Sequence, residues 1–308
     1  MLAIYKSIDK RLVEVNEIEP GCWLNLTAPT EQEITRVCDT LGVDSALMYA
    51  ALDEEETSHV DFSDGQTLIV IDVPIAEEGD NNTLVFSTLP IGIIVTRENV
   101  ITVSLKETTT LQDISGNVVK NISPALKTQF VLHILLRAAK RYLYYLRQID
   151  KISDFVEKQL HKSMKNEELF QLLELEKSLV YLSTSLRSND ITMKKIAAGR
   201  IVKLYEEDKD LMDDVMIEIN QAIEMASIYS GILSGMMDAF ASVISNNLNI
   251  VMKGLTSVTI LLTIPNIVFG FYGMNVRHLP IPVAWFPCAV TLAFVAITAV
   301  ILKKKELL

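Results

Sequence analysis

Two stretches near the C-terminus limit what this chain can become. From Gly254 to Val276 there is no Asp, Glu, Lys or Arg, and from Leu279 to Leu302 there is none either. Each stretch is about 23 residues, about 34 Å as a helix, enough to cross a hydrocarbon core of roughly 30 Å. One Asp, Lys or Arg at the centre of a span costs about 2.5–3.5 kcal/mol, so their absence predicts two membrane-crossing helices, 251–272 and 284–302. A loop at 273–283 joins them, and a basic tail, 303–308, follows. Lys253 stands just before the first span and Lys303, Lys304 and Lys305 just after the second, against Arg277 in the loop. Positive charge collects on the cytoplasmic side, so both termini are expected in the cytoplasm, on a multi-pass protein of the cell membrane seated in the lipid bilayer. Met1–Lys10 carries Lys6, Asp9 and Lys10 and no apolar core, so it is not expected to be a signal peptide.

The residues before the spans divide by pattern. Thr67–Val73, Thr83–Leu89, Gly92–Thr96 and Val100–Leu105 are short and β-branched, bounded by turn formers such as Asp64-Gly65 and Gly79-Asp80-Asn81-Asn82, and read as strands. Thr30 with Glu33 has the spacing of a capping box, and Asp44 begins a second short helix. Residues 1–115 are therefore expected to form an α/β domain. Ser123-Pro124 reads as a cap and first-turn pair, after which no proline occurs until Pro265 and apolar residues recur at helical spacing. This predicts a long-helix region, 116–250, whose last helix starts at about Leu211 and runs unbroken to about Tyr272, roughly 90 Å. The fold class expected is an α/β cytoplasmic domain, a long helical stalk and two transmembrane helices. So long a helix must pack against copies of itself or a bundle.

Charge and composition exclude several functions. A net charge of −11 argues against nucleic acid as a partner, which needs a basic face, and favours cations. Cys22, Cys38 and Cys288 lie apart with no CxxC spacing, as in a reducing compartment. His59, His133, His161 and His278 are isolated, and no nucleophile elbow, dinucleotide loop or GxxxxGK[ST] loop is present, so no enzyme and no organic cofactor are expected. Asp53-Glu54-Glu55-Glu56 reads as a solvated charge run.

Within the long helix one series advances by four and three residues in turn: Asp238, Ser242, Ser245, Asn249, Met252, Thr256, Thr259, Thr263, Asn266, Gly270. A seven-residue repeat keeps such a series on one face of a supercoiled helix. Ser and Thr in membrane helices often bond back to their own backbone, and Asn often glues helices together. A whole register running from the cytoplasm into the membrane instead suggests a water-lined pore, and since two spans cannot enclose one, several chains must share its axis. Neutral oxygens suit Mg²⁺, which keeps its waters and passes as a hydrated ion. The membrane potential supplies about 2.3 kcal/mol per charge per 100 mV, so no ATP is required.

At the outer end of the first span stands Tyr272-Gly273-Met274-Asn275. In that position, before a short loop, a second span and a Lys run, it closely resembles the signature of the CorA family of magnesium transporters, and the architecture of the whole chain is similar to theirs. The resemblance implies a homopentamer whose Gly273, Met274 and Asn275 form the outer ion-binding mouth, with Asp238, Asn249, Leu255, Thr263 and Asn266 facing the pore. It also implies gating by cytoplasmic Mg²⁺ held between subunits, for which Asp214 and Glu77 or Glu78 are the candidates by position. Mg²⁺ is then both the transported and the regulatory ion, with Co²⁺ and Ni²⁺ as passengers. Two departures stand out: Arg277 and His278 lie where family members often carry acids, and Pro265 falls inside the first span. The alternatives are a Zn²⁺ transporter of the same family, against which Met274 argues, or a membrane-anchored sensor or scaffold.

Overall fold

The computed structural model of the chain describes residues 1–79, 84–163, 166–199, 204–274, 281, 283, 285–305 and 307. It divides into two compact units, Met1–Gly235 and Met236–Leu308.

The first unit is built on a seven-stranded sheet. Its strands are β1 (Leu2–Ile8), β2 (Arg11–Val15), β3 (Trp23–Thr27), β4 (His59–Ser63), β5 (Gln66–Glu78), β6 (Leu84–Val95) and β7 (Val100–Ser104), in the order β2-β1-β3-β7-β6-β5-β4. The β3–β7 pair is parallel and the other ladders are antiparallel. Two short helices, α1 (Glu31–Leu41) and α2 (Ser45–Ala50), follow β3. Both begin as expected: the Glu33 carboxylate accepts from Thr30 N at 2.9 Å while Thr30 Oγ1 accepts from Glu33 N at 3.3 Å, and Asp44 accepts from Ala46 N at 2.9 Å. They cover one sheet face, where Ile34, Val37, Leu47 and Met48 pack with Leu24, Leu26, Leu68, Val70, Ile94 and Val103.

Because side chains alternate along a strand, Trp23, next to Leu24, faces the other way. There its ring lies 5.3 Å from Phe130, and Phe86 lies 5.5 Å from Tyr145. These partners belong to α4 (Lys127–Ser163), which with α5 (Asn166–Ala197) closes the second face; a short α3 (Thr109–Ser115) leads into them. The division expected at residue 115 thus separates elements that share a core. The expected helix start at Ser123-Pro124 is also displaced: those residues make a turn, Leu126 N donating to Ser123 O at 3.1 Å, and α4 begins at Lys127.

A polar seam fixes α5 to the sheet. Ser178 Oγ accepts from Phe86 N at 3.1 Å, Ser185 Oγ bonds Thr88 Oγ1 at 2.8 Å, and Thr192 Oγ1 accepts from Ser58 Oγ at 2.8 Å. β4 pairs with β5 only as far as Val70, and at Asp72 the Asn189 side chain takes its place: Oδ1 accepts from Asp72 N at 2.9 Å and Nδ2 donates to Asp72 O at 2.8 Å. One amide thereby completes the ladder at Asp72, whose C=O also accepts from Tyr142 Oη at 3.1 Å and whose N–H would otherwise go unpaired.

A single 3-10 turn at Glu206–Asp208 leads into α6, which runs from Lys209 to Tyr272, 64 residues, with Pro265 inside it. Up to Gly235 it packs on the first unit through Met212, Val215, Ile219, Ala222, Ala226 and Leu233, all buried. The second unit holds the rest of α6 and α7 (Trp285–Lys304). The apolar windows of these helices have mean hydropathy 1.7 and 2.3, and only 6% and 11% of each is buried within the chain. A core helix of a soluble protein is mostly buried, so exposure this complete suits a lipid surface. The two helices lie antiparallel: the Tyr272 ring is 6.2 Å from Phe286 at one end, and Ser257 Oγ donates to Leu307 O at 2.5 Å at the other.

Candidate cation pathway

In the second unit α7 occupies one side of α6. The less exposed positions there, Ser257, Leu261, Ile264, Val268 and Tyr272, step by four and three and mark the covered face. The polar series runs beside this face. Asp238, Ser242, Ser245, Asn249, Met252, Thr256, Thr259, Thr263, Asn266 and Gly270 are all exposed, and Leu255, 59% exposed, flanks them one turn from Met252 and Thr259.

The hydroxyls on this face have a definite polarity. Ser242 Oγ donates to Asp238 O at 3.0 Å, Thr259 Oγ1 to Leu255 O at 2.8 Å, and Thr263 Oγ1 to Thr259 O at 2.7 Å. A hydroxyl has one donor and two lone pairs, so a hydroxyl whose proton is held by its own helix offers only acceptors outward. A hydrated cation presents water hydrogens, which need acceptors. Back-bonding to the helix and lining a pore are therefore compatible, where the sequence pattern sets them as rivals. Pro265 has no N–H for the Leu261 carbonyl, but that break in the helix ladder lies on the side turned to α7 and not on this face.

At the far end Gly273 N donates to Phe269 O at 2.8 Å and Met274 N to Phe271 O at 3.3 Å, which closes the last turn of α6 and leaves Met274 53% exposed. Asn275, and Arg277 and His278 of the loop, lie outside the described residues.

The regulatory candidates are dispersed. Glu77 and Glu78 are exposed at the end of β5, and Glu77 Oε1 already holds Lys106 Nζ at 2.8 Å. Asp214 is exposed on α6. Among the described residues no three His, Cys, Asp or Glu side chains gather as metal ligands within one chain. A relation that the polar series alone does not reveal is visible in the burial: continuing the four-three alternation backward from Asp238 reaches Gly235, Gly231, Ile228, Glu224, Gln221, Ile217 and Asp214, every one exposed. The spacing itself carries the signal, because the repeat does not change phase.

An α/β unit, a long helix with an exposed stripe of acceptors and a second apolar helix define a two-span membrane transport protein. The family described as CorA-like Mg²⁺ transporter protein matches residues 19–304, and the chain belongs to it. It is 26% identical over 263 residues to the cobalt/magnesium transport protein CorA of Methanocaldococcus jannaschii, a match covering 84% of this chain and 81% of that one. It is 23% identical over 293 residues to the cobalt/magnesium transport protein CorA of Thermotoga maritima, covering 92% and 82%. The complete structure of the M. jannaschii CorA magnesium transporter superposes with a TM-score of 0.82 over 98% of this chain and 97% of that one, at 21% identity, a likeness of fold. The family carries divalent cations and is not a family of enzymes.

Proposed function

We propose that copies of this chain, five by family likeness, surround a pore lined by the acceptor face of α6 and pass hydrated Mg²⁺ through it. The single observation that supports this reading most is the orientation of the hydroxyls, with protons turned into the helix and lone pairs outward, on the one polar face that α7 leaves open. Rings of neutral acceptors hold a hydrated divalent ion without stripping it, as Mg²⁺ requires. Both termini lie in the cytoplasm, on the side of Lys253, Lys303, Lys304 and Lys305. At 100 mV, inside negative, a divalent ion gains roughly 4.6 kcal/mol on entering. Gly273, Met274 and Asn275 form the outer mouth. Co²⁺ accompanies Mg²⁺, as the names of both relatives suggest. Cytoplasmic Mg²⁺ bound between Asp214 of one subunit and Glu78 of the next, or Glu77 once Lys106 is displaced, holds the channel closed.

The test is ion uptake by liposomes holding the purified chain under an inside-negative potential. Mg²⁺ should enter faster than Zn²⁺ and Ni²⁺, and uptake should rise with the potential. Faster Zn²⁺ entry, or uptake indifferent to potential, would overturn the choice of ion or of driving force.

A further inference from the structure

An acidic chain carries, on α4, a row of positive charge. Arg137, Lys140, Arg141, Tyr144 and Arg147 recur at three- and four-residue steps, hence on one face of the helix. With Leu143 and with Glu218 of α6 they line a cavity of about 340 Å³, within the roughly 300–1,000 Å³ of small-molecule sites. The site is organised from beneath. The nearly buried Asp113 carboxylate accepts through Oδ2 from Arg137 Nε at 2.7 Å and from Arg141 Nε at 2.6 Å and Nη2 at 2.5 Å. Burial alone would raise this carboxyl, but the hydrogen bonds and charges of the two arginines outweigh it and hold it below the ordinary carboxylate range. Each guanidinium has five N–H donors, so donors remain on both after Asp113 is served. Lys140 Nζ sits 3.9 Å from Glu218, a loose pair. Four cations against two carboxylates leave the cavity positive in a chain of net charge −11. Tyr144 is 48% exposed, with the Arg141 guanidinium 5.8 Å from its ring centre.

We propose that this cavity binds a nucleoside triphosphate, its phosphates held by Arg137, Lys140, Arg141 and Arg147 and its base laid against Tyr144. Fixed arginine forks suit phosphate oxygens, and an exposed aromatic ring beside them suits a base. The ligand is bound and not hydrolysed. It is itself a carrier of Mg²⁺, so its occupancy would report the state of the pool that the channel serves.

The experiment is ATP binding to the full chain in detergent micelles, in chelator so that free ATP is the species bound, with inorganic triphosphate as the second probe. Wild type should bind ATP saturably and more tightly than triphosphate. Lys140→Glu with Arg147→Glu, neither of them bonded to Asp113, should weaken ATP binding by about tenfold or more, the equivalent of about 1.4 kcal/mol. Tyr144→Ala should abolish the preference for ATP over triphosphate. Should the double reversal fail to fold, Arg147→Ala alone should still weaken ATP binding several-fold. No saturable binding by wild type, or equal binding by wild type and the charge variants, overturns the proposal. So does a double variant that loses its assembly while wild type ignores ATP, since the basic face would then be a contact between copies.

Discussion

Helices α5 and α6 each carry polar residues at a helical repeat, and the two series meet opposite fates. On α5, Ser178, Ser185, Asn189 and Thr192 are buried, and each bonds a strand or the segment beside it. On α6, the series from Asp238 to Gly270 is exposed throughout, and the hydroxyls whose bonds are visible return to their own helix. The first is a clamp: every group it buries has a partner in the chain. The second has no partner opposite it within the described residues, and in the proposed pore it is addressed outward, to water and to other copies. Spacing alone does not tell clamp from conduit; what lies opposite does.

The largest effect expected is at the mouth. Asn275→Ala should abolish Mg²⁺ uptake in liposomes with assembly unchanged by mass in mild detergent; full uptake would remove the motif from the pathway. Next, Thr263→Val with Asn266→Leu removes two rings of acceptors and should slow uptake by about a hundredfold, at about 1.4 kcal/mol per ring. Ser257→Ala, on the face turned to α7, should leave uptake within about twofold. Equal losses at both faces would erase the distinction between them.

On the clamp, Asn189→Ala leaves the Asp72 N–H unpaired, its C=O keeping the Tyr142 hydroxyl at 3.1 Å, and should cost about 1–3 kcal/mol of stability, read by thermal melting, while uptake per assembled channel is kept. A smaller effect belongs to Asp72 itself. Burial raises its carboxyl, with a hydrogen bond from Ser185 pulling the other way. A carboxyl with a raised folded pKa binds protons more readily folded than unfolded, so its contribution to stability falls as pH rises through the interval between the two values. Asp72→Asn should therefore raise the melting midpoint modestly at pH 7, and the gain should vanish near about pH 3, below the ordinary Asp value. A gain that grew on acidification would reverse the assigned sign.

The features legible in the sequence are those with a local cause. The Thr30–Glu33 box, the Asp44 cap, the two charge-free spans and the α6 series all follow from spacing, and all appear. The misreadings have tertiary causes. Pro90 and Gly92 suggest a break between two strands, yet β6 runs from Leu84 to Val95. Pro90 lies opposite Asp72, whose N–H and C=O both go to Asn189, so that pair exchanges no ladder bonds, and the ladder with β7 on the other side reaches only as far as the next residue, Ile91. Gly92 is no breaker either: a Cβ there would stand 2.3 Å from that of Ala51, so the approach of the chain after α2 demands glycine. β4 escapes the strand pattern because Asp61 and Ser63 make it polar, and the α5 seam is silent because its value depends on strands distant in the chain. For the pathway, the stripe is legible from spacing, but the direction of its hydroxyl protons is not. For the proposed gating acids, the Lys106 pairing of Glu77 favours Glu78, a contact that spacing does not reveal.

That the polar face of α6 meets water inside an assembled pore can be tested directly. Cys22, Cys38 and Cys288 are replaced with serine, and single cysteines are then placed at Thr256, Thr259 and Thr263 or at Val258, Ile260 and Leu262. Each variant is exposed in liposomes to a water-soluble, positively charged thiol reagent. The first three positions should react, and reaction should block Mg²⁺ uptake, while the second three neither react nor block. Rapid reaction and block at Val258, Ile260 and Leu262, with the threonine positions silent, would contradict a pore lined by this face.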